Sequence, residues 1–179
     1  MSAATDDGRI SVAGLAWLSV QRYPLPAAGL IAGAMPSCGA APLHAIDMQR
    51  IVVPVHDGDA VWLGLTAVSA AGLRVWGVVE TAHNGHLKIG SVAAAPMAIL
   101  AGFPRDGGGL WPFTRRPTVP GAPACRRLLL YLGGSAPALG EDAMVKLSFV
   151  RPYEYWRLAG KDPGQPADPA HQFGQYLLG

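Results

Sequence analysis

Leu73-Arg74-Val75-Trp76-Gly77-Val78-Val79-Glu80-Thr81-Ala82-His83-Asn84-Gly85-His86-Leu87-Lys88-Ile89-Gly90-Ser91-Val92 is the stretch that decides the fold class. Leu73, Val75 and Val79 alternate with Arg74, Trp76 and Glu80, the period-two pattern of a half-buried strand. Asn84-Gly85 suits a two-residue type I′ turn, because both central positions need positive φ. Counting outward from that turn pairs His83 with His86, Thr81 with Lys88, Val79 with Gly90 and Gly77 with Val92 on one face. Ala82 with Leu87, Glu80 with Ile89 and Val78 with Ser91 occupy the other.

Upstream, Val61, Leu63, Leu65 and Ala67 share one face of a second strand, and residues 69–72 have the length of a four-residue hairpin loop. That loop predicts Val68 opposite Leu73, Thr66 opposite Val75, Gly64 opposite Gly77 and Trp62 opposite Val79. The resulting three-stranded sheet has a core face of Val61, Leu63, Leu65, Trp76, Val78, Leu87 and Ile89, with Arg74 and Glu80 as a pair near its edges. Its other face sets Trp62 beside a floor of Gly64, Gly77 and Gly90.

Downstream, Ala143, Val145, Leu147 and Phe149 alternate with Met144, Lys146 and Ser148, and residues 127–132 are apolar on both faces, as in a central strand. Further strands are expected in 10–20, 30–34, 44–55 and 97–103. Within 44–55 the alternation slips near Gln49-Arg50, where a β-bulge would reconcile the halves. Residues 104–123, with Gly107-Gly108-Gly109 and several prolines, read as a long loop. Short helix fits at 152–158 or 170–177. Gly (23) and Pro (16) exceed a fifth of the 179 residues, which argues against long helices. The expected fold is all-β and mostly antiparallel: a β-sandwich, jelly-roll-like or barrel, with long loops and little helix. Residues 1–160 are expected to form one domain, with 161–179 as an extended tail packed on it and ending in an apolar segment at 173–178.

Half of the chain is apolar and 15% is charged, below the roughly 25% of an average soluble domain. So little charge suggests apolar surface covered by another chain. The net charge of +2 and the isolated pairs Arg115-Arg116 and Arg126-Arg127 argue against nucleic acid, whose phosphates call for clustered cations. No apolar run reaches the roughly 18 residues of a membrane span. The first ten residues carry Asp6 and Asp7 and no export signal, so the expected compartment is the cytoplasm. Cys38 and Cys125 then fit free thiols better than a disulfide.

The same register count brings His56-Asp57-Gly58-Asp59 beside the turn at 83–86, with the His83 and His86 Cβ atoms about 5 Å apart. Imidazoles with a carboxylate suit zinc, iron or nickel, and they also suit a general base oriented by Asp57 or Asp59. Against this, Asp-Gly and Asn-Gly are ordinary turn formers on exposed tips. Trp62 is a candidate stacking platform for a sugar or flat ring. Trp111, Tyr153, Tyr155 and Trp156 are candidate ligand or partner contacts, being of types enriched at binding hot spots. No nucleophile elbow, phosphate loop or C-x-x-C motif is present.

The preferred functional expectation is a non-catalytic module that binds a ligand or assembles with itself or another protein, without a cofactor. The alternative is a small cupin-like enzyme holding a divalent transition metal on His56, His83, His86, Asp57 and Asp59. Carbohydrate binding at Trp62 is the third.

Overall fold

A computed structural model describes residues 8–69, 72–82, 86–134 and 143–171, with backbone alone at 73, 86–95 and 134. The chain runs through β1 (Ile10–Val12), β2 (Ala16–Pro24), β3 (His44–Ala45), β4 (Arg50–Pro54), β5 (Asp59–Ala67) and β6 (Leu73–Thr81). It continues with β7 (His86–Ala95), β8 (Met97–Leu100), β9 (Gly102–Pro104), β10 (Leu110–Pro112), β11 (Cys125–Gly134) and β12 (Ala143–Val150). Helix α1 (Pro152–Ala159) and a 3-10 turn (Pro169–His171) follow. The protein is all-β: strands make up 48% and helix 8%, and among the described residues the sheets are largely antiparallel and not closed into a barrel.

One sheet has the order β1-β2-β5-β8, a second β3-β4-β12-β11-β6-β7, and β9 and β10 form a separate ribbon. The pairing of β4 with β12 is parallel, unlike the others. Leu18, Val20, Leu63 and Leu65 of the first sheet meet Val75, Val79, Leu128, Leu130 and Leu147 of the second in one core. Each is fully buried, and burying one such side chain contributes about 1.5–3 kcal/mol. The alternation that announces β5 and β12 is thus the alternation between core and outer face.

Partner choice differs from expectation. β5 lies between β2 and β8, whereas β6 lies between β11 and β7 in the opposite sheet. The hairpin between β5 and β6 does not form, because periodicity specifies which face is buried and not which strand is the neighbour. The core side of β6 is the face of Val75 and Val79. Trp76 points outward and stacks on Tyr131, with ring centroids 3.8 Å apart. Glu80 pairs with Arg127 at 3.2 Å.

The register of β6 on β7 is Glu80 with His86, Val79 with Leu87, Val78 with Lys88 and Gly77 with Ile89. The partner of Val79 is therefore three residues earlier than a two-residue turn dictates. An odd shift exchanges faces, so Leu87 and Ile89 become the partners of inward-facing Val79 and Gly77. Residues 83–85, which hold the expected turn, lie outside the described residues.

Three further expectations change. The slip near Gln49-Arg50 is a hairpin reversal between β3 and β4 rather than a bulge. Asp47 closes it by accepting from the Gln49 N–H at 2.9 Å and from Arg50 Nε at 2.5 Å. Residues 30–34 make one bridge, Ile31 to Leu110, instead of a strand. The segment 104–123, expected as loop, begins as the β9–β10 hairpin, whose turn is the glycine run with φ of 91°, 102° and 77° at Gly107, Gly108 and Gly109.

Helix α1 is delimited as its sequence suggests. Pro152 needs no N–H donor at the first turn, Glu154 accepts from the Arg151 N–H at 2.9 Å, and Gly160 closes the end with φ 64°. Among the described residues no helix is long and apolar enough to cross a membrane. Cys38 and Cys125 are buried free thiols.

Candidate functional site

The residues singled out in the sequence are distributed over several places. His56 Nε2 lies 2.9 Å from the Gly164 carbonyl. Asp57 turns the other way, toward Arg116 at 3.0 Å and Arg115 at 3.7 Å. Asp59 is buried and accepts from the Ala167 N–H at 2.9 Å. With Arg22 Nη1 donating to the Gln165 carbonyl, His56 and Asp59 fasten residues 164–167 across one end of the first sheet. Burial raises the Asp59 carboxyl above the usual range, opposed by the Ala167 N–H and by the charges of His56 and Arg22. His83 lies outside the described residues, and of His86 the backbone alone is described, opposite Glu80. Among the described residues no group of three or more His, Cys, Asp or Glu side chains is arranged to hold a metal.

Trp62 is half-buried and donates to the Met35 carbonyl at 2.8 Å. Its ring lies 3.4 Å from where a Cβ on Gly64 would be. The glycine floor expected beside it does not form, since Gly77 faces the core from the other sheet. Trp111 is half-buried in β10 under the guanidinium of Arg105, 5.5 Å from its ring centre. Tyr155 is fully buried, while Tyr153 and Trp156 stand out on α1 with 65% and 56% exposure.

The outer face of the second sheet carries a feature that none of those residues marks. A groove of about 670 Å³ runs between α1 and the strands β11 and β12, within the size range of ligand sites. Four arginines line it, Arg115, Arg126, Arg127 and Arg151, against one carboxylate, Glu154. Apolar side chains of the lining are Ile46, Val52 and Leu158. Local structure explains how the arginines converge. Adjacent strand residues normally point to opposite faces, yet the register of β11 on β6 slips between Cys125 and Arg127. That bulge leaves Cys125 and Leu128 inward and both Arg126 and Arg127 outward. Bulges of this kind re-aim side chains next to sites. Arg151 caps α1 at the end of β12, and Arg115 enters from the segment after β10.

The charge in the groove is incompletely balanced. Arg115 has only 16% of its side chain exposed, and its nearest carboxylate, Asp57, is shared with Arg116. Burial, and then the charge of Arg151, bring the Arg115 guanidinium below its usual pKa. Arg127 is paired with Glu80. Among the described residues no carboxylate lies within ion-pair distance of Arg126 or Arg151. An anion placed between these guanidiniums would receive charge-assisted hydrogen bonds, bidentate where a carboxylate or phosphate meets the guanidinium fork.

No family model, curated protein or solved structure matches the chain. In the sequence the arginines are visible only as two scattered pairs and the single Arg151. The bulge that aligns two of them has no local signature, and the approach of Arg115 to Arg151 depends on tertiary packing.

Proposed function

We propose that this chain is a non-catalytic binding module whose ligand carries negative charge and occupies the groove between α1 and the outer face of β11 and β12. The observation that carries the reading is the excess of guanidinium over carboxylate within a walled groove, four arginines to one glutamate. A site built for proton transfer or nucleophilic attack needs a base or nucleophile aimed at the bound group. Of the titratable residues lining the groove four are arginines, Glu154 is already used as a helix cap, and Cys125 is turned inward, its buried thiol pushed up to about 12.

Citrate, a small polyanion, tests the reading by isothermal titration at low ionic strength. Saturable binding is expected, weakened by added salt as screening shortens the reach of the charges. The double substitution Arg126→Ala with Arg151→Ala is expected to weaken it about tenfold or more, since a hydrogen bond to a charged group is worth about 1.5–3 kcal/mol. Equal citrate affinity in wild type and double variant would remove the groove as the site.

A further inference from the structure

Resting on that reading, we infer that the occupant of the groove is an acidic segment of a partner protein that also carries an apolar side chain. Two observations favour a polypeptide over a free small anion, and the charges favour it over nucleic acid or a second copy.

The groove offers more than charge. Ile46 and Leu158 line it while remaining 45% and 53% exposed, and Val52 lines it beside them. A small polyanion makes no use of that surface, whereas an aliphatic or aromatic side chain does. The contact surface also continues beyond the groove. On α1, Glu154 and Leu158 line the groove one turn apart. Arg157 lies three residues on from Glu154 and four from Tyr153, so it joins the groove row to the exposed aromatic row. Tyr153 and Trp156 stack with ring centroids 6.2 Å apart, and the Arg157 guanidinium lies 5.9 Å from the Tyr153 ring centre. Tyr, Trp and Arg are the side chains enriched where proteins bind proteins. The helix is already fixed by its caps and by buried Tyr155, so little ordering entropy is lost when a partner docks.

The remaining charges discriminate among partners. Asp57, Glu80 and Glu154 sit among the arginines. These carboxylates repel a continuous phosphate backbone, which argues for a peptide with discrete acids over nucleic acid. A two-fold contact with a second copy through the same face would set arginines against arginines.

The test uses a display library of twelve-residue peptides, with acidic and apolar positions varied independently, selected against the full chain. Selected peptides are expected to be acidic and to contain an aliphatic or aromatic residue. Charge reversal with Arg126→Glu and Arg151→Glu is expected to weaken them about tenfold or more. Trp156→Ser, a change at an exposed position, is expected to weaken the peptides about threefold or more while leaving citrate binding as in wild type. If citrate binds through the arginines but no acidic peptide is selected, the peptide inference fails and the anion site stands. If the selected peptides ignore the arginines and citrate does too, both fail. Displacement of the peptides by an equal concentration of single-stranded oligonucleotide would assign the groove to nucleic acid instead.

Discussion

Ala13 has φ 53° and is followed by Gly14 with φ 66°, in the turn between β1 and β2 that the Leu15 N–H closes onto the Val12 carbonyl. Two positive φ values in succession are what a type I′ turn requires, and an alanine there bears a cost of roughly 1 kcal/mol that asparagine largely avoids. Ala13→Asn is therefore expected to raise stability by about 0.5–1 kcal/mol in urea titration with no change in slope. A loss of stability would mean that the alanine methyl is used elsewhere. Asp59 makes an opposite kind of contribution. Its folded pKa is raised, chiefly by burial. The folded state thus binds the proton more tightly than the unfolded chain, and stability falls as pH rises through the folded pKa. The substitution Asp59→Asn keeps an oxygen for the Ala167 N–H without the charge. The melting-temperature gain of Asp59→Asn over wild type is expected to grow between about pH 3 and pH 8. A gain that shrinks with pH would show that the ionised carboxylate is net stabilising.

At the scale of elements, close backbone approach limits what the β9–β10 ribbon can accept. A Cβ on Gly102 would lie 2.2 Å from the Trp111 carbonyl oxygen. Because that atom is backbone, Gly102→Ala is expected to cost about 1–3 kcal/mol, read by chemical denaturation; a neutral result would mean the ribbon can separate freely. The strands themselves are largely legible in the sequence. Val145, Leu147 and Phe149 alternate with Lys146 and Ser148 and are the buried face of β12; the run Leu128 to Leu132, apolar on both faces, marks β11 as central. What periodicity leaves open is adjacency. The same alternation in β5 serves equally for pairing with β6 in one sheet or facing it across a core, and only packing against β2 and β8 decides. The bulge at Arg126 is likewise invisible locally, since it is the register against Glu80 and Thr81 that creates it. Trp62 and the His56 segment belong to one corner only if β5 and β6 form a hairpin. With the two strands in different sheets, Trp62 covers Gly64 while His56 and Asp59 hold the tail.

At the scale of the whole molecule, two sheets share one aliphatic core and place their polar chemistry at opposite outer surfaces. Part of the first sheet's surface is covered by loop and tail: Met35 at Trp62, and Gly164 to Ala167 over His56 and Asp59. The second sheet keeps its groove open beneath α1, with arginines gathered from β11, the end of β12 and the segment after β10. In a chain with only 15% charged residues, that concentration of like charge is where a partner would gain most from electrostatic complementarity. The most direct test is an amide spectrum of the labelled protein titrated with citrate. Shifts are expected to cluster at Arg126, Arg127, Ser148 to Arg151 and Glu154, and to vanish with Arg126→Ala and Arg151→Ala. Shifts centred instead on Trp62, Met35 and the residues at the tail crossing, or spread evenly over both sheets, would contradict the groove as the binding site.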